Sequence, residues 1–128
     1  MTVAGIGCRK GATATQINAA IDAALKEAGH SGDALSLIAT SDGKGGELGL
    51  IEAAQERGVQ LVLVKPTALE AAGPRTRSFS PRVQEMFGVP SVAEAAALAA
   101  AGPQAALLVP RLVLGPVTCA IAGAGDEA

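Results

Sequence analysis

Short apolar runs alternate with helical patterns along this chain, and that alternation leaves few folds open. Val3-Ala4-Gly5-Ile6-Gly7 reads as a buried strand. A helix follows from Thr13 to Ala28, because Ile17, Ile21, Leu25 and Ala28 recur at helical spacing. Thr13-Ala14-Thr15-Gln16 matches a capping box at its start, and Gly29 marks its end. Leu35 to Ala39 is a second strand, and Glu47 to Arg57 a second helix with Leu48, Ile51 and Ala54 inward. Leu61 to Val64 is a third strand, apolar throughout as a strand covered on both faces should be. The β-α-β-α-β order predicts parallel pairing and right-handed crossovers.

The second half is more broken. Lys65-Pro66-Thr67 opens a short helix over Ala68 to Ala72. A loop from Pro74 to Pro81 carries Arg75, Arg77, Ser78 and Ser80. Pro81 to Phe87 reads as a short helix capped by Ser80. Ser91-Val92-Ala93-Glu94 is a second capping box and opens an alanine-rich helix to Ala101. Ala105–Leu114 and Val117–Ala122 flank Gly115-Pro116 as a hairpin, with Pro110 marking an edge strand or a break. Gly123 to Ala128 reads as a frayed tail. The expected fold class is α/β: a three-layer α/β/α domain over residues 1–128, whose mixed, mainly parallel sheet of about five strands ends in an antiparallel hairpin.

Composition narrows the function. Phe79 and Phe87 are the only aromatics, so the core must be aliphatic and alanine-rich. A net charge of -2 and the lack of stacking platforms count against nucleic acid. No apolar run approaches the ~20 residues that span a bilayer, so no membrane partner is expected. Arg9 and Lys10 interrupt the apolar start, and no secretory pattern is visible. With only Cys8 and Cys119, the chain reads as a cytoplasmic protein with reduced thiols. One histidine and two distant cysteines make no metal set. Gly5, Gly7 and Gly11 have neither dinucleotide nor phosphate-loop spacing, and no cofactor is expected.

The candidate chemistry sits where strands give way to helices, since α/β sheets bind ligands outside their strands' carboxyl ends. The turn Gly7-Cys8-Arg9-Lys10-Gly11 reads as an anion cradle or as a packed turn with two solvated cations. Ser41, Asp42, Lys44 and Glu47 leave the second strand at the same expected end. There, a lysine and a carboxylate three residues apart could hold an acid and move a proton; the alternative has Glu47 favouring a helix N-terminus and Lys44 in solvent. Cys8 could be a nucleophile beside Arg9 and Lys10. However, His30 lies roughly 20 Å away along the first helix, so Cys8 reads better as packing. Arg75, Arg77 and Arg82 form a basic loop, either a lid over an acidic ligand or a solvated segment.

These stretches resemble a known family, the CobE proteins of cobalamin biosynthesis and the matching C-terminal domain of CbiG. The resemblance is carried by Gly5-Ile6-Gly7-Cys8-Arg9-Lys10-Gly11, by Ala39 to Lys44 with Glu47-Leu48-Gly49-Leu50, and by Phe79-Ser80-Pro81-Arg82-Val83. Ser91 to Leu98 and Thr118 to Ala122 complete it. It implies a role in making the corrin ring of vitamin B12. CbiG-type proteins look like hydrolases that open a δ-lactone on a cobalt-precorrin and release a two-carbon aldehyde. At 128 residues the chain looks like the stand-alone CobE form. Corrin precursors carry many acetate and propionate groups. Such a polyacid implies a binding set of Gly7, Cys8, Arg9, Lys10, Gly11, Ser41, Lys44, Ser78, Ser80 and Arg82. The expected partner is a corrin or precorrin, with other pathway enzymes as a further expectation. Two mechanisms stay open. One is binding or carriage, or, with no ligand at all, docking to a pathway enzyme. The other is lactone hydrolysis, with Glu47 or Asp42 activating water and Lys44 stabilising the oxyanion.

Overall fold

The computed structural model describes residues 1–30, 34–44 and 46–123. The chain runs β1 (Thr2–Cys8), α1 (Ala14–Glu27), β2 (Leu37–Ser41), α2 (Leu48–Arg57), β3 (Gln60–Val64) and α3 (Pro66–Ala72). It continues through α4 (Pro81–Phe87), α5 (Val92–Ala101), β4 (Ala106–Leu114) and β5 (Val117–Gly123). One sheet has the order β3-β2-β1-β5-β4. The β3–β2 and β2–β1 pairs are parallel; β1–β5 and β5–β4 are antiparallel.

Two apolar clusters sandwich this sheet. On one face Ile17, Ile21 and Leu25 of α1 and Leu50 of α2 pack on Ile6, Ile38 and Ile121. On the other, Leu69 of α3 and Ala93, Ala96, Ala97 and Leu98 of α5 pack on Val3, Ala39 and Ala120. Alternate strand residues point to opposite faces, which is how one sheet feeds both clusters. The alanine helix works because its partner strand is bare. A β-carbon on Gly5 would fall 1.9 Å from the Ala93 carbonyl oxygen, so glycine lets α5 lie directly on β1.

Local signals place most helix starts. Thr13 and Gln16 form the reciprocal capping box of α1, while Ser80 and Ser91 accept from Val83 N and Glu94 N. The second box is only half formed. The Glu94 carboxylate turns away from Ser91 to bind three other backbone amides and the Ser78 hydroxyl.

Three strand expectations are corrected. β2 starts and ends two residues later than its apolar run, because Thr40 and Ser41 continue the parallel ladder opposite Leu63 and Val64. β3 is an edge strand, and Leu63 is 43% exposed rather than covered on both faces. Gly123 is not tail: it closes β5 opposite Thr2 and Ala106. Residues 124–128 of that expected tail, and Gly45 of the second loop, lie outside the described residues. Pro110 sits at an irregularity in β4, the other edge strand, between the paired residues Val109 and Leu112. Among the described residues no helix is long and apolar enough to cross a membrane.

Candidate functional site

The fold brings five chain segments to one rim. β1 and β2 run parallel, so Cys8 and Ser41 end at the same side. β5 runs the other way and begins there, with Val117 opposite Cys8, so the Gly115-Pro116 turn joins the rim. The first turn of α4 and the start of α5 close it.

Hydrogen bonds lock these pieces together. Arg9 N donates to the Pro116 carbonyl at 3.0 Å. The Thr118 hydroxyl donates to Gly7 O at 3.1 Å, and the Thr40 hydroxyl to Ile6 O at 2.8 Å. Gly11 N donates to Glu47 Oε1 at 3.0 Å, which ties the first turn to the second. Gly49 lets α2 approach that turn, since a β-carbon there would meet the Ala12 carbonyl oxygen at 2.1 Å.

Between them lies an open cavity of about 420 Å³. Its charged lining is Arg9, Lys10, Lys44, Arg82 and Arg111. That is five of the chain's ten lysines and arginines, with no aspartate or glutamate among the described lining residues. Val83, Met86, Val92, Val113 and Pro116 supply its apolar wall. Thr40, Ser41, Ser91 and Thr118 line it as well, and the Ser41 hydroxyl is buried with no hydrogen-bond partner. The site thus combines concentrated positive potential with a surface that a flat apolar ligand can cover. Among the described residues no group of His, Cys, Asp and Glu could hold a metal ion.

The structure brings some of the expected residues together and separates others. Gly7, Cys8, Arg9, Lys10, Ser41, Lys44 and Arg82 all line the cavity. Gly11, Asp42, Glu47, Ser78 and Ser80 do not. Asp42 is exposed in a single 3-10 turn, and Glu47 accepts the Gly11 amide. Ser78 donates its hydroxyl to Glu94, and Ser80 caps α4. For Arg75 and Arg77 neither reading of the basic loop, lid or solvated segment, holds. Arg75 donates to the carbonyls of Gly102 and Ala105, and Arg77 to that of Leu107, so both tie the loop to β4 and its approach.

Arg111 is the cation that sequence reasoning missed. A lone arginine beside Pro110, inside an otherwise apolar strand, was the available signal. Its backbone is held from below: Arg111 N donates to Glu94 Oε2 at 2.7 Å. Glu94 is wholly buried and also accepts from Arg77 N, Ser78 N and the Ser78 hydroxyl. Burial alone would push its carboxyl up; the Ser78 hydroxyl and the amides of Arg111, Ser78 and Arg77 outweigh that and hold it below its ordinary 4.5. The Cys8 thiol goes the other way. Burial raises it above 9.0, against a downward pull from Lys44 and with a further push from Glu47. Cys8 is therefore a neutral thiol at pH 7. Burial also pushes Cys119 up to about 12, despite Arg57.

A mixed sheet with a cleft at its parallel strands' carboxyl ends defines an α/β protein with a strand-end site. The family model for the C-terminus of cobalamin synthesis protein G matches residues 2–122. Protein CobE of a Sinorhizobium species is 35% identical over 121 residues, 94% of this chain and 79% of the relative. The solved structure of CobE, a protein of the cobalamin (vitamin B12) biosynthetic pathway, superposes with a TM-score of 0.90 at 36% identity. That superposition covers 95% of this chain and 89% of the other. Cobalamin biosynthesis protein chiG from Agrobacterium tumefaciens is 48% identical, with a TM-score of 0.78 over 98% of this chain and all of its own. The chain belongs to this family of cobalamin biosynthesis proteins.

Proposed function

We propose that the cavity binds a corrin or precorrin intermediate through its free carboxylates. The carrying observation is the lining itself: five cations, no acid, and an apolar wall. Acetate and propionate arms around a flat macrocycle supply the matching groups, and local potential attracts them in spite of the net charge of -2. The role is binding and presentation to other enzymes of the pathway rather than hydrolysis. A lactone hydrolase needs a base facing its substrate. The two carboxylates suited to that work, Asp42 and Glu47, stand outside the lining, and Glu47 accepts an amide proton. Cys8 and Cys119 are free, consistent with a protein of the reducing cytoplasm.

Titration of the protein with hydrogenobyrinic acid, followed by the ligand's visible spectrum, tests the reading. Saturable binding at micromolar protein is expected. Lys44→Ala should weaken it about five- to tenfold, the value of one charge-assisted contact discounted for partial exposure. Added salt should weaken it further. No spectral change, or a Lys44→Ala protein that binds as wild type, refutes the reading.

A further inference from the structure

The cavity has a graded interior. Arg9, Lys10 and Arg82 are exposed at its mouth, whereas Lys44 and Arg111 are half-buried. Ser41 is only 4% exposed, and its hydroxyl meets no acceptor or donor. Its hydroxyl neighbours are engaged: those of Thr40 and Thr118 donate to β1 carbonyls, and Ser91 Oγ accepts from Glu94 N. A buried hydroxyl without a partner disfavours the empty protein, and an anionic oxygen at the floor would satisfy it. Lys44 lies three residues further along the same strand-end turn and supplies the charge.

The cavity is open, with its half-buried cations inside and its exposed ones at the mouth. A flat macrocycle whose acid arms reach the half-buried Lys44 enters by one edge.

We propose that the cavity takes one acid-bearing edge of the macrocycle, with one carboxylate ending on Ser41 and Lys44, and leaves the opposite edge in solvent. This rests on the polycarboxylate-binding reading above. The exposed arginines and lysine at the mouth then meet the next arms outward. The uncovered edge stays open to a second protein without prior release.

Two measurements on the full chain with hydrogenobyrinic acid test this. The first is quenching of the ligand's own fluorescence by acrylamide. A site that encloses a ligand covers about 70–90% of it, so edge-on binding should protect the bound ligand less than about fivefold relative to the free one. Greater protection overturns the proposal even though binding itself stands. The second is Ser41→Ala. Affinity should fall about three- to tenfold, the worth of one hydrogen bond, while the melting temperature of the empty protein stays level or rises because an unpartnered hydroxyl is gone. Unchanged affinity removes Ser41 from the floor. If the wild-type protein binds nothing, both readings fall together, and the titration shows it before any variant is made.

Discussion

Glu94→Gln is the most informative single change in the molecule. The carboxylate is fully buried and accepts from Arg77 N at 2.6 Å, Ser78 N at 2.9 Å, the Ser78 hydroxyl at 2.6 Å and Arg111 N at 2.7 Å. The least costly glutamine keeps its oxygen on the first two amides and turns its NH2 toward the others. The Ser78 hydroxyl can rotate to accept from that NH2, but the Arg111 amide cannot. One buried N–H left without an acceptor costs about 1–3 kcal/mol, and the two surviving bonds each lose about 1 kcal/mol of charge assistance. Relief from burying a charge offsets part of this, which leaves a net loss of about 3 kcal/mol. At ~2.1 cal/mol/K per residue, a 128-residue chain then melts about 11 °C lower. The loss must also depend on pH. The folded-state carboxyl is held below 4.5, so its stabilisation is complete above the unfolded value and disappears as pH falls through the lower, folded one. Glutamine has no such term. Thermal melts followed by circular dichroism should therefore show a wide gap between wild type and variant at pH 7 that narrows below about pH 4.5. Glu85→Gln, on the exposed side of α4, is the control and should melt within about 2 °C of wild type. A pH 7 gap below about 3 °C, or one that stays constant into acid, refutes the stabilising role assigned to the Glu94 carboxylate.

Two further outcomes follow from packing and from charge. Gly5→Ala should destabilise by about 3 kcal/mol in urea denaturation, because its β-carbon meets the Ala93 carbonyl and the Ala97 backbone on a rigid helix. Gly43→Ala, with nothing within 4 Å, should not. Cys8 should react slowly with iodoacetamide at pH 7 and faster above pH 9, where its raised pKa lets the thiolate form. Lys44→Ala should slow it further at pH 9 by removing the cation that favours the thiolate; equal rates would show that Lys44 exerts no field there.

What the sequence revealed and what it hid divide along the range of the interactions. The start of α1 was legible because a capping box is complete within four residues. The end of β2 was not. Thr40 and Ser41 look like loop residues until the Thr40 hydroxyl finds the Ile6 carbonyl and Ser41 pairs with Val64, both across the sheet. Ser91 and Glu94 show both cases in one motif. The serine cap forms as its spacing demands, while the glutamate answers to partners 16 and 17 residues away. Arg75 and Arg77 had the chemistry of ligand contacts but bind carbonyls 27 to 30 residues on. No local pattern distinguishes an arginine bound for a carbonyl from one bound for a ligand.

A weakly acidic chain can nonetheless line a cavity with cations alone. Arg57 is paired with Asp22 and donates to Asn18 Oδ1, and Arg75 and Arg77 are held on backbone oxygens. The cations that reach the cleft come from four places far apart in the chain: the β1 exit, the β2 exit, α4, and the irregular stretch of β4. Apart from the Arg9-Lys10 pair, each is the only cation in its own segment. They become a field only when parallel pairing sets β1 beside β2 and the antiparallel β5 brings its hairpin to the same end. Glu94 belongs to that field although it lines no part of the cavity. It neutralises nothing at the rim, yet its two oxygens hold the backbone on both sides of the cleft, at Ser78 leading into α4 and at Arg111 in β4. A buried anion thereby ties the lead into α4, which carries Arg82, to the stretch of β4 that carries Arg111, and both of those cations line the cavity.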